Sequence, residues 1–168
     1  MLKNGDYVFV GTKGVCEIEN IKKNAFVGAD KTKEYYVLKP IKSSTNMVVF
    51  LPTDTSVKIR PLVSAKVAEN VLNNFKTIEP FGDVSEEKRI KLYEDIMKNG
   101  EFEDRVKLLK LLLNRKNTIS KKVFGAQEQK YLTNVSDCVF GELAFVLKQD
   151  IDAIKNKIIL TETDSCES

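Results

Sequence analysis

The acidic residues that follow Gly100 are the first side chains in this sequence that could do chemistry. Glu101, Glu103 and Asp104 lie close together, and such a group of carboxylates could form a site for acid–base chemistry. Apolar residues at helical spacing come next, so the three acids also fall at a predicted helix start. Negative charge at that end interacts favourably with the helix dipole. We therefore expect these carboxylates to stabilise a helix rather than to catalyse a reaction.

The segment Gly11-Thr12-Lys13-Gly14 superficially has the composition of a phosphate-binding loop. It lacks the G-x-x-x-x-G-K-S/T spacing of that motif, and it joins two predicted strands instead of leading from a strand into a helix. Two glycines around a short connection indicate a tight turn that can hold positive φ. We therefore exclude a phosphate loop at this position.

Histidine and cysteine, the usual zinc ligands and catalytic groups, are scarce. The chain has no histidine and three widely spaced cysteines, Cys16, Cys138 and Cys166. Without a CxxC pair or histidine ligands a zinc site is disfavoured, and the commonest general base is missing. Cys16 alternates with buried positions and Cys138 lies in an apolar helix, so both are expected to be inert core thiols. This pattern favours a reduced, cytoplasmic protein that is not an enzyme and needs no cofactor.

The composition is that of a folded protein with a small excess of positive charge. The 168 residues allow one domain or two small ones, and 42% of them are hydrophobic, enough for a core. The net charge of +3 is far below that of a dedicated nucleic-acid binder, although a local basic face is compatible with it. No signal peptide and no apolar run of the roughly 20 residues that span a bilayer is visible. We expect no membrane partner and no small-molecule substrate.

Short apolar segments separated by glycine-bearing turns predict strands in the first third of the chain. Residues 7–10 and 35–38 are continuous apolar or aromatic runs, which suit strands buried on both faces. Residues 16–19 alternate apolar and acidic side chains, the period of a half-buried strand, and the polar residues 22–33 indicate a hairpin loop. About five strands are predicted before residue 62, enough for a small barrel, so residues 1–62 are expected to form one domain.

A helical pattern replaces the strands after residue 63. Ser64 and Ser85 are placed to cap the first two helices, and Asn134 or Ser136 is expected to interrupt a later one. The other predicted helical stretches are residues 102–116, 123–133, 139–148 and 151–160. Residues 63–160 are therefore expected to form a helical domain, and residues 161–168 a flexible tail. The fold class is α+β, with an amino-terminal β-barrel followed by an all-helical domain.

Five short motifs, in order along the chain, give this sequence a family resemblance. They are Gly5-Asp6-Tyr7-Val8-Phe9-Val10 with Gly14-Val15-Cys16-Glu17-Ile18, Glu34-Tyr35-Tyr36-Val37-Leu38-Lys39, Val48-Val49-Phe50-Leu51-Pro52, Asn99-Gly100-Glu101 and Gly141-Glu142-Leu143-Ala144. Over about residues 3–148 the chain resembles the CarD/CdnL family of bacterial RNA-polymerase-binding transcription regulators. The resemblance implies an SH3/Tudor-like polymerase-interaction barrel over residues 1–62 and a DNA-engaging helical domain over residues 63–160.

The resemblance also implies where a partner would bind. In that family the barrel docks on the polymerase β subunit by pairing a sheet edge with it, so that main-chain hydrogen bonds supply the affinity. The implied polymerase-binding residues here are Lys22, Lys23, Met47, Val48 and Phe50. Val49 and Leu51 are expected to fill the core instead. For the outward-facing Val48 and Phe50, contact with a partner and simple packing both stay open.

The helical domain departs from the family pattern at the residues that engage DNA. Family members place a tryptophan at the start of the helix that begins here near Ser85, where it wedges into the minor groove upstream of the melted region. That position falls at about Glu86, and the chain has no tryptophan. The basic candidates for phosphate contact are Lys88, Arg89, Lys91, Lys121, Lys122 and Lys130. Singly each is better explained as part of a solvated helix surface, and Lys121-Lys122 is the pair best placed to touch phosphate.

Two functions of different kinds follow from these observations. The first is a transcription regulator that binds the polymerase β subunit through its barrel and promoter DNA through its helices, and so changes the stability of the open complex. The second is a protein-interaction module that keeps polymerase or another partner but has lost DNA engagement. The missing tryptophan and the sparse basic residues favour the second, and salt-dependent DNA binding would favour the first.

Overall fold

A computed structural model describes residues 1–11, 13–82, 84–120 and 123–163, without the side chains of residues 161–163. The chain forms two compact units, Met1–Leu62 and Val63–Ser168. In the described residues the first unit contains a five-stranded antiparallel sheet, and the second contains five α-helices. The predicted α+β class is therefore confirmed.

The first unit is built from hairpins. Its strands are β1 (Tyr7–Val10), β2 (Gly14–Lys23), β3 (Glu34–Pro40), β4 (Val49–Pro52) and β5 (Ile59–Pro61), in the spatial order β4-β3-β2-β1-β5. Gly11 and Gly14 adopt φ of +36° and +81°, so the turn between β1 and β2 uses the conformations that only glycine adopts easily. β2 extends to Lys23 and pairs with β3 there, so the predicted loop begins two residues later than the sequence indicated.

One face of the sheet carries the core of the first unit. Val8, Val10, Cys16, Ile18 and Leu38 are buried together. The alternation of the strands places these side chains on a common face. Partly buried apolar residues pack against them, namely Leu2, Ile21, Tyr36, Val49, Leu51 and Ile59. Val49 and Leu51 therefore fill the core, as predicted.

The predicted closure of the strands into a barrel is not observed. β4 and β5 lie at opposite edges of the sheet, and in the described part of the chain no pairing joins them. Both strands are short, and both end in a proline, Pro52 and Pro61. Proline has no N–H to donate to a neighbouring strand, so each edge offers few hydrogen bonds for closure.

Five helices make up the described part of the second unit. They are α1 (Ala65–Asn74), α2 (Glu86–Asn99), α3 (Phe102–Thr118), α4 (Ala126–Leu147) and α5 (Ile151–Thr163). The Ser64 hydroxyl caps α1 by accepting a hydrogen bond from the Val67 N–H at 3.2 Å, as predicted. Val67 itself is 36% exposed, and the buried residues of α1 are Ala68, Val71 and Leu72.

The acidic group after Gly100 has the structural role that its position predicted. Glu103 and Asp104 lie in the first turn of α3. The Asp104 carboxylate accepts a hydrogen bond from the Glu101 N–H at 2.9 Å, as in a capping box. The carboxylates therefore accept hydrogen bonds from main-chain N–H groups at the start of α3 and interact favourably with the positive end of its dipole.

The predicted boundaries of the helices after residue 123 are wrong at α4. It is one continuous helix of 22 residues that begins after Gly125, whereas the sequence indicated two segments with a break near Asn134 or Ser136. Leu132, Val135 and Val139 are buried along it. Packing of this continuous stripe outweighs the weak helix propensity of the polar residues between them.

A buried polar network joins three of these helices. The Glu128 carboxylate accepts two hydrogen bonds from the Arg115 guanidinium, at 2.8 and 3.1 Å, and one from the Tyr93 hydroxyl at 3.0 Å. Burial by itself would raise the pKa of Glu128. The hydrogen bonds from Arg115 and Tyr93, together with the positive charges of Arg115 and Arg89, outweigh it and hold the pKa of this carboxyl below its ordinary value. Burial, and then the hydrogen bond to Glu128, raises the pKa of Tyr93.

Lys110 and Glu142 are also buried and bind main-chain atoms. The Lys110 ammonium donates to the carbonyl oxygens of Phe75 and Lys76 at 3.3 and 3.1 Å, where the short helical turn after α1 ends. Glu142 accepts a hydrogen bond from the Val63 N–H at 3.0 Å and so ties α4 to the first residue of its unit. Main-chain N–H and carbonyl groups lose their hydrogen bonds to water when they are buried on folding. Charged side chains such as these replace the lost hydrogen bonds.

Gly100 is needed for space rather than for an unusual backbone conformation. Its φ of −64° is open to any residue. A Cβ at this position would, however, lie 2.5 Å from the Ile96 carbonyl oxygen. The turn between α2 and α3 is therefore closed too tightly for any side chain.

Glu128→Gln is predicted to destabilise the protein by about 1–3 kcal/mol near neutral pH, because it removes the negative charge that accepts two hydrogen bonds from Arg115. A lowered pKa in the folded state stabilises the protein above the unfolded-state value, 4.5, and this contribution is lost as pH falls through the folded-state pKa. The difference between wild type and variant should therefore shrink below pH 4.5. Denaturant unfolding, followed by far-ultraviolet circular dichroism, measures the free energy of unfolding of both proteins at each pH. Glu69→Gln, at an exposed carboxylate of α1, should show no such loss, and a constant difference at all pH values would contradict the prediction.

Gly100→Ala is predicted to destabilise the helical unit by about 1–3 kcal/mol, because the new methyl group overpacks the turn against the Ile96 main chain. Gly82→Ala is the matched control, since a Cβ at Gly82 has no atom within 4 Å. Thermal unfolding of both variants compares them directly. Equal melting temperatures for the two variants would contradict the prediction, because they would show that the turn accommodates the methyl group without losing stability.

Candidate functional site

The outer edge of β4 is the best candidate for a docking surface in the first unit. β4 pairs with β3 on one side, and in the described residues no strand pairs with its other side. Met47 and Val48 precede the strand, which starts at Val49, so the predicted edge of residues 47–51 is a strand over only its last part. Met47 is 48% exposed and Val48 is half-buried.

The hydrogen bonds between β3 and β4 determine which main-chain groups face this edge. The Thr53 N–H donates to the Glu34 carbonyl at 2.9 Å, so Tyr35 and Pro52 form a pair without mutual hydrogen bonds. By alternation, Phe50 points its N–H and carbonyl away from β3. Pro52 has no N–H, and its carbonyl already accepts a hydrogen bond from the Thr55 N–H at 3.0 Å. An added strand could therefore exchange two hydrogen bonds with Phe50, and Pro52 marks the end of the usable edge.

The Phe50 side chain lies on the face of the sheet opposite to the core. Its ring centroid is 5.1 Å from that of Phe26, and the Phe26 ring packs edge-on against Tyr35 at 5.3 Å. We call Phe26, Tyr35 and Phe50 the aromatic cluster. Pairs of this geometry stabilise by about 0.5–1.5 kcal/mol beyond their buried area. Phe50 thus has packing partners within the chain and also adjoins the open edge.

Lys22 and Lys23 are exposed at the end of β2. Lys22 is opposite Tyr35 and Lys23 is opposite Glu34, so Lys22 projects from the same face as the aromatic cluster. The structure therefore brings Lys22 to the face on which Phe50 lies. Two strands separate it from the free edge of β4.

The residues predicted to contact DNA have different surroundings. Glu86 is the first residue of α2 and is exposed, and Lys88 is exposed in the same turn. Arg89 is half-buried and donates to the Val84 carbonyl at 3.4 Å. Its charge also contributes to the low pKa of Glu128. Arg89 therefore belongs in part to the interior of the helical unit.

Lys130 is exposed on α4. Its neighbour Tyr131 packs against Tyr93, with ring centroids 5.5 Å apart. Lys121 and Lys122, predicted to be the basic pair nearest to phosphate, lie outside the described residues. Exposed cations are thus present on α2 and α4.

The described residues contain no group of three or more histidine, cysteine, aspartate or glutamate side chains placed to hold a metal ion. Nor does any helix among them have the length and apolar character needed to cross a membrane.

Phe26 is the residue of this surface that the sequence pattern did not single out. It lies in a loop, and loops have no periodicity from which a packing direction can be read. The pair of large apolar residues Phe26-Val27 just before Gly28, in an otherwise polar loop, is the signal that could have indicated it.

Comparisons with known proteins agree with this architecture. Residues 2–63 match the family described as "CarD-like/TRCF RID domain". A Bacillus subtilis (strain 168) protein named "Putative transcription factor YdeB" is 26% identical over 148 residues, which cover 87% of this chain and 92% of that protein. The family match spans the five-stranded sheet, and the relative also spans most of the helices. The resemblance to the CarD family is therefore confirmed, and residues 2–63 are similar to the CarD-like/TRCF RID domain.

Proposed function

We propose that this protein is a transcription regulator that binds RNA polymerase, through its β subunit, with the open edge of β4. The observation that carries the proposal is the RID-domain match over residues 2–63 on a sheet in which β4, within the described residues, pairs with β3 alone. A strand of the polymerase would extend the sheet, because edge pairing satisfies main-chain groups on both proteins.

The contacts of this interface are proposed from the geometry at the edge. Phe50 supplies the main-chain hydrogen bonds, Met47 and Val48 supply apolar area where the chain enters β4, and Lys22 and Lys23 attract acidic groups. Within this proposal, residues 1–62 take the SH3/Tudor-like arrangement of the family as an open, curved sheet, which keeps the β4 edge available.

The helical unit, residues 63–160, is proposed to lie on promoter DNA upstream of the melted region. The predicted tail of residues 161–168 starts too early, because α5 continues to Thr163, and residues 164–168 lie outside the described residues. Lys88, Arg89, Lys121, Lys122 and Lys130 would contact phosphates, which position a protein without reading sequence. Tethering by the polymerase raises the effective concentration of the helical unit at the promoter, so weak contacts suffice to change open-complex stability. The protein acts by binding alone, in the cytoplasm where the polymerase works.

A second function is favoured by Glu86 and Arg89. Glu86 places an exposed carboxylate at the start of α2, where it repels phosphate. Arg89 is partly engaged within the helical unit. Both observations reduce the attraction for DNA and support a protein-interaction module that binds polymerase without engaging the promoter.

The double variant Val48→Lys/Phe50→Lys is predicted to weaken polymerase binding by about tenfold or more, because it places charge in the apolar centre of the interface. Biolayer interferometry with purified core polymerase measures the affinity. The double variant Ile41→Lys/Val57→Lys adds the same charge at exposed apolar positions, 44% and 39% accessible, and should bind like wild type. Unchanged affinity of the first variant, with unchanged thermal stability, would rule out this edge.

Wild-type protein is predicted to bind duplex DNA with an affinity that falls steeply between about 50 and 200 mM salt. Lys88→Gln/Lys130→Gln should reduce the slope of log affinity against log salt by about 2, because each phosphate contact contributes about 0.9. Fluorescence anisotropy with a labelled promoter fragment provides the measurement. Lys66→Gln/Lys157→Gln removes two exposed lysines elsewhere in the helical unit and should leave the slope unchanged. Absence of binding at low salt would instead support the module without DNA engagement.

A further inference from the structure

The tip of the loop between β2 and β3 exposes two large apolar side chains. Val27 is fully exposed, at 103% of its reference area, and Phe26 is 42% exposed. We call these two residues the apolar tip. Adjacent exposed apolar residues of this kind commonly mark contacts with other molecules.

Hydrogen bonds join the main chain of this loop to itself and to the Tyr35 side chain of β3. The Ala29 N–H donates to the Phe26 carbonyl at 3.1 Å, and the Asp30 N–H donates to the Tyr35 hydroxyl at 3.1 Å. The Asp30 carboxylate accepts a hydrogen bond from the Thr32 N–H at 2.9 Å. The exposure of Val27 is therefore built into the folded loop, and a partner would not need to order it on binding.

The apolar tip is continuous with the edge of β4. Phe26 packs against Phe50 through ring centroids 5.1 Å apart, and Phe50 points main-chain groups toward the open edge. A strand added to β4 would carry side chains on the same face as Phe50, since directly opposed residues project to one side of a sheet. One of those side chains would meet the exposed part of the Phe26 ring.

Positive charge surrounds this surface. Residues 22–33 contain four lysines, Lys22, Lys23, Lys31 and Lys33, against one acidic residue, Asp30. Glu34, opposite Lys23, and Asp54, which pairs with Lys33, reduce this excess from three charges to one. Lys33 is paired with Asp54 at 2.8 Å, and the Asp30 carboxylate is occupied by Thr32. A partner with carboxylates beside its apolar side chain would match this rim.

We propose that Phe26 and Val27 are the apolar anchor of the docking surface, and that the partner strand carries an apolar side chain flanked by carboxylates. This inference rests on the proposed function and specifies the chemistry of the partner. A protein strand fits better than a lipid surface, because the anchor adjoins main-chain N–H and carbonyl groups that a strand satisfies and a lipid bilayer does not.

Two substitutions of Val27 in the full-length chain separate the apolar contact from the charge. Val27→Asp is expected to weaken binding to core polymerase by about tenfold or more, since it removes apolar contact and repels carboxylates. Val27→Lys removes the same apolar contact, but its positive charge attracts the carboxylates of the partner. This variant should therefore bind more tightly than Val27→Asp. Val57→Asp, at a 39% exposed valine outside the loop, should bind like wild type. Because Val27 is fully exposed, both of its variants should keep the wild-type melting temperature.

Each outcome decides one part of the proposal. Wild-type affinity of Val27→Asp, while Val48→Lys/Phe50→Lys still fails to bind, overturns the anchor and leaves the proposed function standing. Equal weakening by Val27→Asp and Val27→Lys overturns the acidic character of the partner. No binding by the wild-type chain overturns the proposed function and the anchor together. Co-sedimentation with phosphatidylglycerol vesicles that Val27→Asp abolishes, with polymerase affinity unchanged, would reassign the apolar tip to a lipid contact.

Discussion

The hydrogen bonds between β3 and β4 are the interaction on which the proposed docking surface depends. They set the strand so that Val49 and Leu51 face the core while Phe50 faces outward. The same register directs the main-chain groups of Phe50 to the open edge. A shift of one residue would exchange these faces, burying Phe50 in the core and exposing its neighbours. One backbone pairing therefore determines both the packing of the first unit and the chemistry that it presents.

The aromatic cluster extends this arrangement beyond the strand. Phe26 comes from a loop, yet its ring lies against Phe50 because the loop is closed by the hydrogen bond between the Asp30 N–H and the Tyr35 hydroxyl. Tyr35 is buried and contacts Phe26 edge-on. The sheet thus uses both faces, one for its core and one for a small cluster that remains partly open to solvent.

In the helical unit several cations serve the fold rather than a surface. Arg115 holds Glu128, and Lys110 binds the carbonyl groups at the end of the turn after α1. Arg89 is drawn toward Glu128 and the Val84 carbonyl. A count of basic residues therefore overstates the charge available to a nucleic acid. Buried charges of this kind need partners because desolvation of an unpaired charge is costly, and these helices supply them internally.

The sequence by itself determined the strands, the helical second half and the family that the first unit resembles. Those features depend on alternation, helical spacing and glycine turns, which are local and leave a pattern in neighbouring residues. Closure of the barrel was wrongly predicted, because edge pairing depends on where β4 and β5 lie in space. The break predicted near Asn134 was also wrong, since burial of Leu132, Val135 and Val139 outweighs local propensity. Only the tertiary structure placed Phe26 beside Phe50 and Arg89 near Glu128, because contacts between residues distant in sequence leave no periodic signal.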